Sequence, residues 1–138
     1  MDIISAPSWE QGLILIKKKI LIVEDEPDAA MLLRLYLEKH GYEVMLAEDG
    51  KEAFRLARTR APDLMLLDLM IPGMDGFWVS SMIKSDKKFA GIAIIALTAR
   101  SSVEDMKTAK ECGVNDYVVK PFEFSELLVK IRRLTGES

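Results

Sequence analysis

A chain of 138 residues is long enough for one domain with a substantial core and too short for two of ordinary size. Its composition, 49% hydrophobic and 30% charged, excludes long disorder, and 19 basic against 22 acidic side chains (net charge −3) exclude a global positive field that would hold DNA or an anionic membrane. The single cysteine, Cys112, excludes an internal disulfide and suits a reducing compartment, and no apolar run reaches the length of a membrane span.

Residues 1–17 come first and are the least constrained. Asp2 stands where a secretory leader needs bases, so a cytoplasmic location is expected. The run "GLILI" at 12–16, followed by Lys17, Lys18 and Lys19, has the composition of an added strand, a partner-binding arm or a pairing element between subunits. A flexible tail or a misassigned start is the simpler expectation, and Trp9 favours neither side.

From about residue 18 to 135, five short runs rich in branched apolar residues recur at 20–23, 44–46, 64–67, 92–97 and 118–119. Most are continuous rather than alternating, which predicts strands buried on both faces of a parallel sheet. The stretches between them predict helices over 27–40, 50–60, 75–86, 101–112 and 122–135. Pro27 fits a first helical turn, and Gly41 and Gly113 fit the left-handed residue just past a helix end. Strict βα alternation implies right-handed crossovers and a three-layer α/β sandwich with helices on both faces. One domain at 18–138 is therefore expected behind an extension at 1–17.

The stretch "LMLLDLMIPGMDG", residues 64–76, ends an apolar strand on one carboxylate, Asp68, and then breaks into a loop. In an open α/β sheet, ligands bind outside the carboxyl ends of the strands. Read in order, those ends carry Glu24, Asp25 and Glu26, then Asp68, Thr98, and Lys120 before Pro121. Crowded carboxylates stay ionised together only with a cation among them, and an oxygen-only site with few protein ligands suits Mg2+ completed by phosphate oxygens. Asp68 is then a candidate carboxylate nucleophile that takes up a phosphoryl group as an acyl phosphate. Lys120 can meet the phosphate oxygens as a point charge, and Thr98 can donate a hydrogen bond to them. Singly, each residue has a plainer role: Asp68 in a turn, the acidic run beside a helix dipole, Thr98 as an N-cap, Lys120 as a solvated lysine. Convergence at four strand ends favours the shared site.

Those residues also carry a resemblance. "ILIVEDEP", "LMLLDLMIPGMDG", "IIALTA" and "GVNDYVVKPF", in this order and spacing, resemble the receiver domain of two-component response regulators, chemotaxis-regulator-like, over about residues 18 to 135. The resemblance implies a flavodoxin-like doubly wound (βα)5 fold with parallel strand order 2-1-3-4-5. It implies a phosphorylation-dependent signalling switch and not a turnover enzyme, its own catalysis being limited to taking up and hydrolysing its phosphoryl group. Asp68 would accept that group from the phosphohistidine of a sensor histidine kinase or phosphotransfer protein. Glu24, Asp25, Asp68 and the backbone carbonyl of Met70 would hold Mg2+, with Glu24 acting through water. Thr98 and Tyr117 resemble the switch pair, and Lys120 the phosphate-binding lysine, joined to Pro121 by an expected cis peptide. The surface built from 101–112, 117 and 122–135 is the expected output face, where a downstream effector or a second copy binds. Met70 and Arg100 occupy positions that in the family influence phosphoryl lifetime.

Two other enzyme-like or cofactor-binding readings fit less well. A haloacid-dehalogenase-like phosphatase also uses a strand-end Asp and Mg2+, but needs a second Asp where this chain has Met70. A flavodoxin needs a phosphate loop after the first strand, where Glu24, Asp25 and Glu26 would repel it. A phosphorylation-independent interaction module remains as the alternative. No helix-turn-helix follows the last helix, so direct nucleic-acid binding is not expected, and a stand-alone receiver is the expectation, with a domain cut from a longer protein as the alternative. Trp78 is expected to pack into the core, with an exposed anchor for Trp9, Leu13 or another protein as the alternative, Cys112 to be a small buried residue, the eight methionines to fill the core, and Lys84, Lys87 and Lys88 to form a solvated helix end. His40 is expected at a helix end.

Overall fold

The computed structural model describes residues 17–99 and 102–137. Along them run β1 (Lys19–Val23), α1 (Pro27–Lys39), β2 (Glu43–Ala47), α2 (Gly50–Arg60), β3 (Leu64–Asp68), α3 (Gly76–Ser85), β4 (Ala93–Thr98), α4 (Val103–Glu111), β5 (Asp116–Val119) and α5 (Phe124–Leu134). The strands form one parallel sheet in the order β2-β1-β3-β4-β5. This is the flavodoxin-like (βα)5 arrangement expected from the sequence, and element boundaries differ from the expected ones by one or two residues.

Strand burial explains the continuous apolar runs. The interior strands β3 and β4 are buried at every position, and β1 at all but Lys19, whereas the edge strands β2 and β5 each leave positions half-exposed. Alternation sends Leu21, Val23, Met65, Leu67, Ile94 and Ala96 to one face, against α2, α3 and Ala109 of α4. It sends Ile20, Ile22, Leu64, Leu66, Ile95 and Leu97 to the other, against α1 and α5. Two apolar layers of this kind supply most of the folding free energy, at about 1.5–3 kcal/mol per fully buried aliphatic side chain.

Local chemistry sets the helix starts at the carboxyl end of the sheet. Asp49 accepts from the Glu52 N–H, Asp75 from the N–H groups of Phe77 and Trp78, and Ser102 from Asp105. Pro27 starts α1. At the other end of the helices, Gly41 (φ 94°) and Gly113 (φ 89°) take the left-handed conformation expected of them. His40 caps the end of α1, its Nδ1 2.9 Å from the Tyr36 carbonyl oxygen.

Four expectations need correction. Trp78 is not a core residue: it stays 54% exposed, because it lies on the outward side of α3, where Phe54 meets it edge-on. Methionine is only in part core filler, since Met45 and Met65 are buried while Met31, Met70, Met82 and Met106 are exposed. Lys84 is only partly solvated, for its ammonium folds back to donate to the carbonyls of Ile92 (2.6 Å) and Ala90 (3.3 Å), and burial lowers its pKa. Cys112 is half-buried, with its thiol pKa raised first by burial. The expectations for residues 1–16 and for Arg100 lie outside the described residues.

Candidate functional site

Parallel strands carry their last side chains to a common edge. β3 ends on Asp68 and β4 on Thr98, both buried. After β1, the Glu24 N–H donates to the Ala47 carbonyl (3.0 Å), which keeps Glu24 on the sheet for one more residue before the chain turns into α1. Asp25 projects exposed beside it. After β5, the Lys120 N–H donates to the Thr98 carbonyl (2.8 Å), and the Lys120–Pro121 peptide is cis, as expected.

The side chains meet. Lys120 Nζ donates to Asp68 Oδ2 at 2.8 Å and to Glu24 Oε1 at 3.1 Å. Asp68 Oδ1 accepts from the Met70 N–H at 2.8 Å, and Glu24 Oε2 from the Glu26 N–H at 3.3 Å. One carboxylate oxygen from each of Glu24, Asp25 and Asp68 lies within 4.8 Å of the others. Burial raises the Glu24 pKa, the Lys120 hydrogen bond works against that rise, and the Asp68 charge adds to it, leaving the carboxyl above its usual range. Burial acts to lower the Lys120 pKa, but its hydrogen bonds and charge pairing with Asp68 and Glu24 outweigh this and raise it. Three carboxylates thus gather where one ammonium pairs with two of them, Glu24 and Asp68, a hard-oxygen cluster with uncompensated negative charge. That donor set fits a divalent cation of the Mg2+ kind.

The structure brings Glu24, Asp25, Asp68 and Lys120 into one cluster, with Thr98 on the next strand. Tyr117 sits two positions before Val119, which pairs with Thr98, and it is half-buried against the α2–α4 face. Met70 enters through its N–H group, while its side chain stays 53% exposed. Sequence reasoning missed two contacts: that N–H bond, which a strand-end Asp before a turn does signal, and the direct Glu24–Lys120 ion pair. Ninety-six residues separate that pair, and no local pattern announces it.

Fold and edge chemistry together define a receiver-type signalling domain. Comparison with known proteins identifies the family: the model of the response regulator receiver domain matches residues 20–132, and the chain belongs to that family. Among curated relatives, the DNA-binding response regulator MtrA of Mycolicibacterium smegmatis is 38% identical over 116 residues, covering 84% of this chain and 50% of that protein. The DNA-binding dual master transcriptional regulator RpaA of Synechocystis is 39% identical over 116 residues, covering 84% and 48%. The chain therefore spans about half the length of the curated relatives it matches. Among solved structures, the BeF3-activated N-terminal receiver domain of Klebsiella pneumoniae RstA superposes with a TM-score of 0.80 at 31% identity, covering 87% of this chain and 100% of that one. A putative response regulator from Chloroflexus aurantiacus does so with a TM-score of 0.83 at 31% identity, covering 88% and 100%. No helix among the described residues is long and apolar enough to cross a membrane.

Proposed function

We propose that this receiver domain is operated by phosphorylation of Asp68. The observation that carries the reading is a buried strand-end carboxylate held at both oxygens, by the Met70 N–H and by Lys120, and crowded by two further carboxylates. The donor is the phosphohistidine of a sensor histidine kinase or phosphotransfer protein. An Asp68 oxygen forms the new bond to phosphorus as the P–N bond breaks, and the leaving imidazole nitrogen keeps the electron pair and takes up a proton. Glu24, Asp25, Asp68 and the Met70 carbonyl are the groups that would hold Mg2+, which when bound supplies charge neutralisation for the transferring group.

Lys120 then shifts its ammonium from the Asp68 carboxylate to the phosphoryl oxygens, and the Thr98 hydroxyl donates to the same group. Thr98 and Tyr117 lie on β4 and β5, next to α4, which buries only Ala109. A helix so lightly anchored moves at low cost, so the new charge at Asp68 is read out on the surface of α4, β5 and α5. A downstream effector, or a second copy, binds that surface. The described relatives are DNA-binding regulators of which the matched region spans only about half, so transcription control through an effector region is the output their likeness supports. Residues 18–138 act as the receiver unit and 1–17 as an extension, in the cytoplasm where such kinases present their phosphohistidine.

This chemistry ends at uptake and loss of one phosphoryl group. A haloacid-dehalogenase-like turnover needs a proton donor two residues beyond the nucleophile, where Met70 has none to give. Incubation with Mg2+ and acetyl phosphate, followed by intact mass, tests the reading. The expected result is one hydroxylamine-labile phosphoryl adduct on the wild type and none on Asp68→Asn; a wild type that binds Mg2+ yet takes up no phosphoryl group overturns it.

A further inference from the structure

Helices on a domain surface ordinarily turn charge toward water. α2 does so, with an ion pair between Glu52 and Arg55 on its outer side. α3 does not: from Gly76 to Ile83 it reads "GFWVSSMI", without one charge. Trp78 (54% exposed) and Met82 (43% exposed) lie outward at helical spacing, flanked by exposed Ser81 and Ser85. Phe54 meets the Trp78 ring edge-on at 5.7 Å beside a hollow lined by Asp49, Lys51 and Asp75. A large, uncharged, aromatic anchor is the composition of an interface centre.

We propose that this face is the interface of a two-fold symmetric dimer, α3 packing antiparallel against α3 of a second copy. The charges at its two ends select this occupant. At the N-terminal end of α3, Asp49 and Asp75 outnumber Lys51. Beyond its C-terminal end, exposed Lys87 and Lys88 outnumber Asp86, while Lys84 is engaged by backbone carbonyls. A two-fold axis near Ser81 reverses one helix on the other, so the acidic end of each copy meets the basic end of the other and the uncharged centre meets itself. Ser81, at the crossing, lets the helices approach closely. Trp78 then lies against the partner's Met82, and the reverse contact repeats it. An isologous contact of this kind closes on itself, and it leaves the α4, β5 and α5 surface uncovered.

Sedimentation velocity of the full chain over a wide concentration range tests this, with Ser81→Arg as the variant. Ser81 is exposed and is not among the partners of Asp68, so the variant keeps its circular dichroism and its phosphoryl uptake. The expected result is a concentration-dependent dimer in the wild type that Ser81→Arg weakens by at least about tenfold, as a clash at an interface centre does. Ser81→Cys combined with Cys112→Ser, treated with a short bis-thiol crosslinker, should join two copies through residue 81. A wild type that stays monomeric at all concentrations overturns the proposal, and the face is then left for a different protein. A dimer untouched by Ser81→Arg overturns it as well and moves the contact to another surface.

Discussion

At the amino end of the sheet, polar groups are matched singly. Asp63 accepts from the Lys19 N–H at 2.8 Å, Asn115 Oδ1 from the Ile94 N–H at 2.8 Å, and the Tyr42 hydroxyl donates to Glu137 at 2.8 Å. At the carboxyl end of the same strands, Glu24 and Asp68 share the ammonium of Lys120, with the Asp25 carboxylate crowded beside them. Matched groups add about 0.5–1.5 kcal/mol apiece, whereas like charges packed together cost stability until another cation arrives. One end of the sheet is arranged to stay as it is, and the other to receive a ligand.

Removing the cation from the crowded end should show the largest effect. Lys120→Met leaves Glu24 and Asp68 facing each other, and the expected loss in urea unfolding at neutral pH without divalent cations is about 2–4 kcal/mol. That range lies below the fully buried limit because Lys120 is itself 32% exposed. Added Mg2+ should recover part of this loss, and an unchanged midpoint would remove charge crowding from the comparison. Next comes Gly113→Ala at the opposite end. Its φ of 89° and a Cβ position 2.5 Å from Lys84 Cγ predict a cost of about 1–3 kcal/mol, read as a lower thermal midpoint.

A smaller effect is expected from alkaline pH. Burial first, then the bond to Glu137, pushes the Tyr42 hydroxyl from 10.0 up to about 12. Because the folded value lies above the unfolded one, its contribution is complete below the unfolded pKa and is lost as pH climbs from 10.0 toward 12. Tyr42→Phe should flatten the stability profile across that window, and an equally steep decline in the variant would assign it to other groups. The smallest change is Asp63→Ala, which removes one exposed cap on β1 and should cost about 1 kcal/mol or less in the same unfolding measurement.

The strands were legible because β1, β3 and β4 are buried on both faces, so burial wrote itself as unbroken apolar runs. Helix ends were legible at Pro27, Gly41 and Gly113, where only backbone conformation matters. Strand order was not readable from the runs themselves and came from the resemblance. For the site, the strand-end rule collected Glu24, Asp25, Asp68, Thr98 and Lys120. Trp78 and Lys84 were misjudged because α3 offers apolar residues on both sides: periodicity cannot tell which of Trp78 and Val79 turns inward, and nothing near Lys84 in sequence points to the Ile92 carbonyl.

By itself the sequence determined what local physics can write into a linear pattern: the alternation of elements, the buried strands, the left-handed glycines and which polar residues close each strand. Only the tertiary structure decided how those residues are shared. It set Lys120 between Asp68 and Glu24, turned Trp78 to the surface, and drew the Lys84 ammonium inward onto backbone carbonyls. Contacts of this kind join residues far apart in the chain, and they depend on strand register and helix rotation, which emerge only when the layers pack.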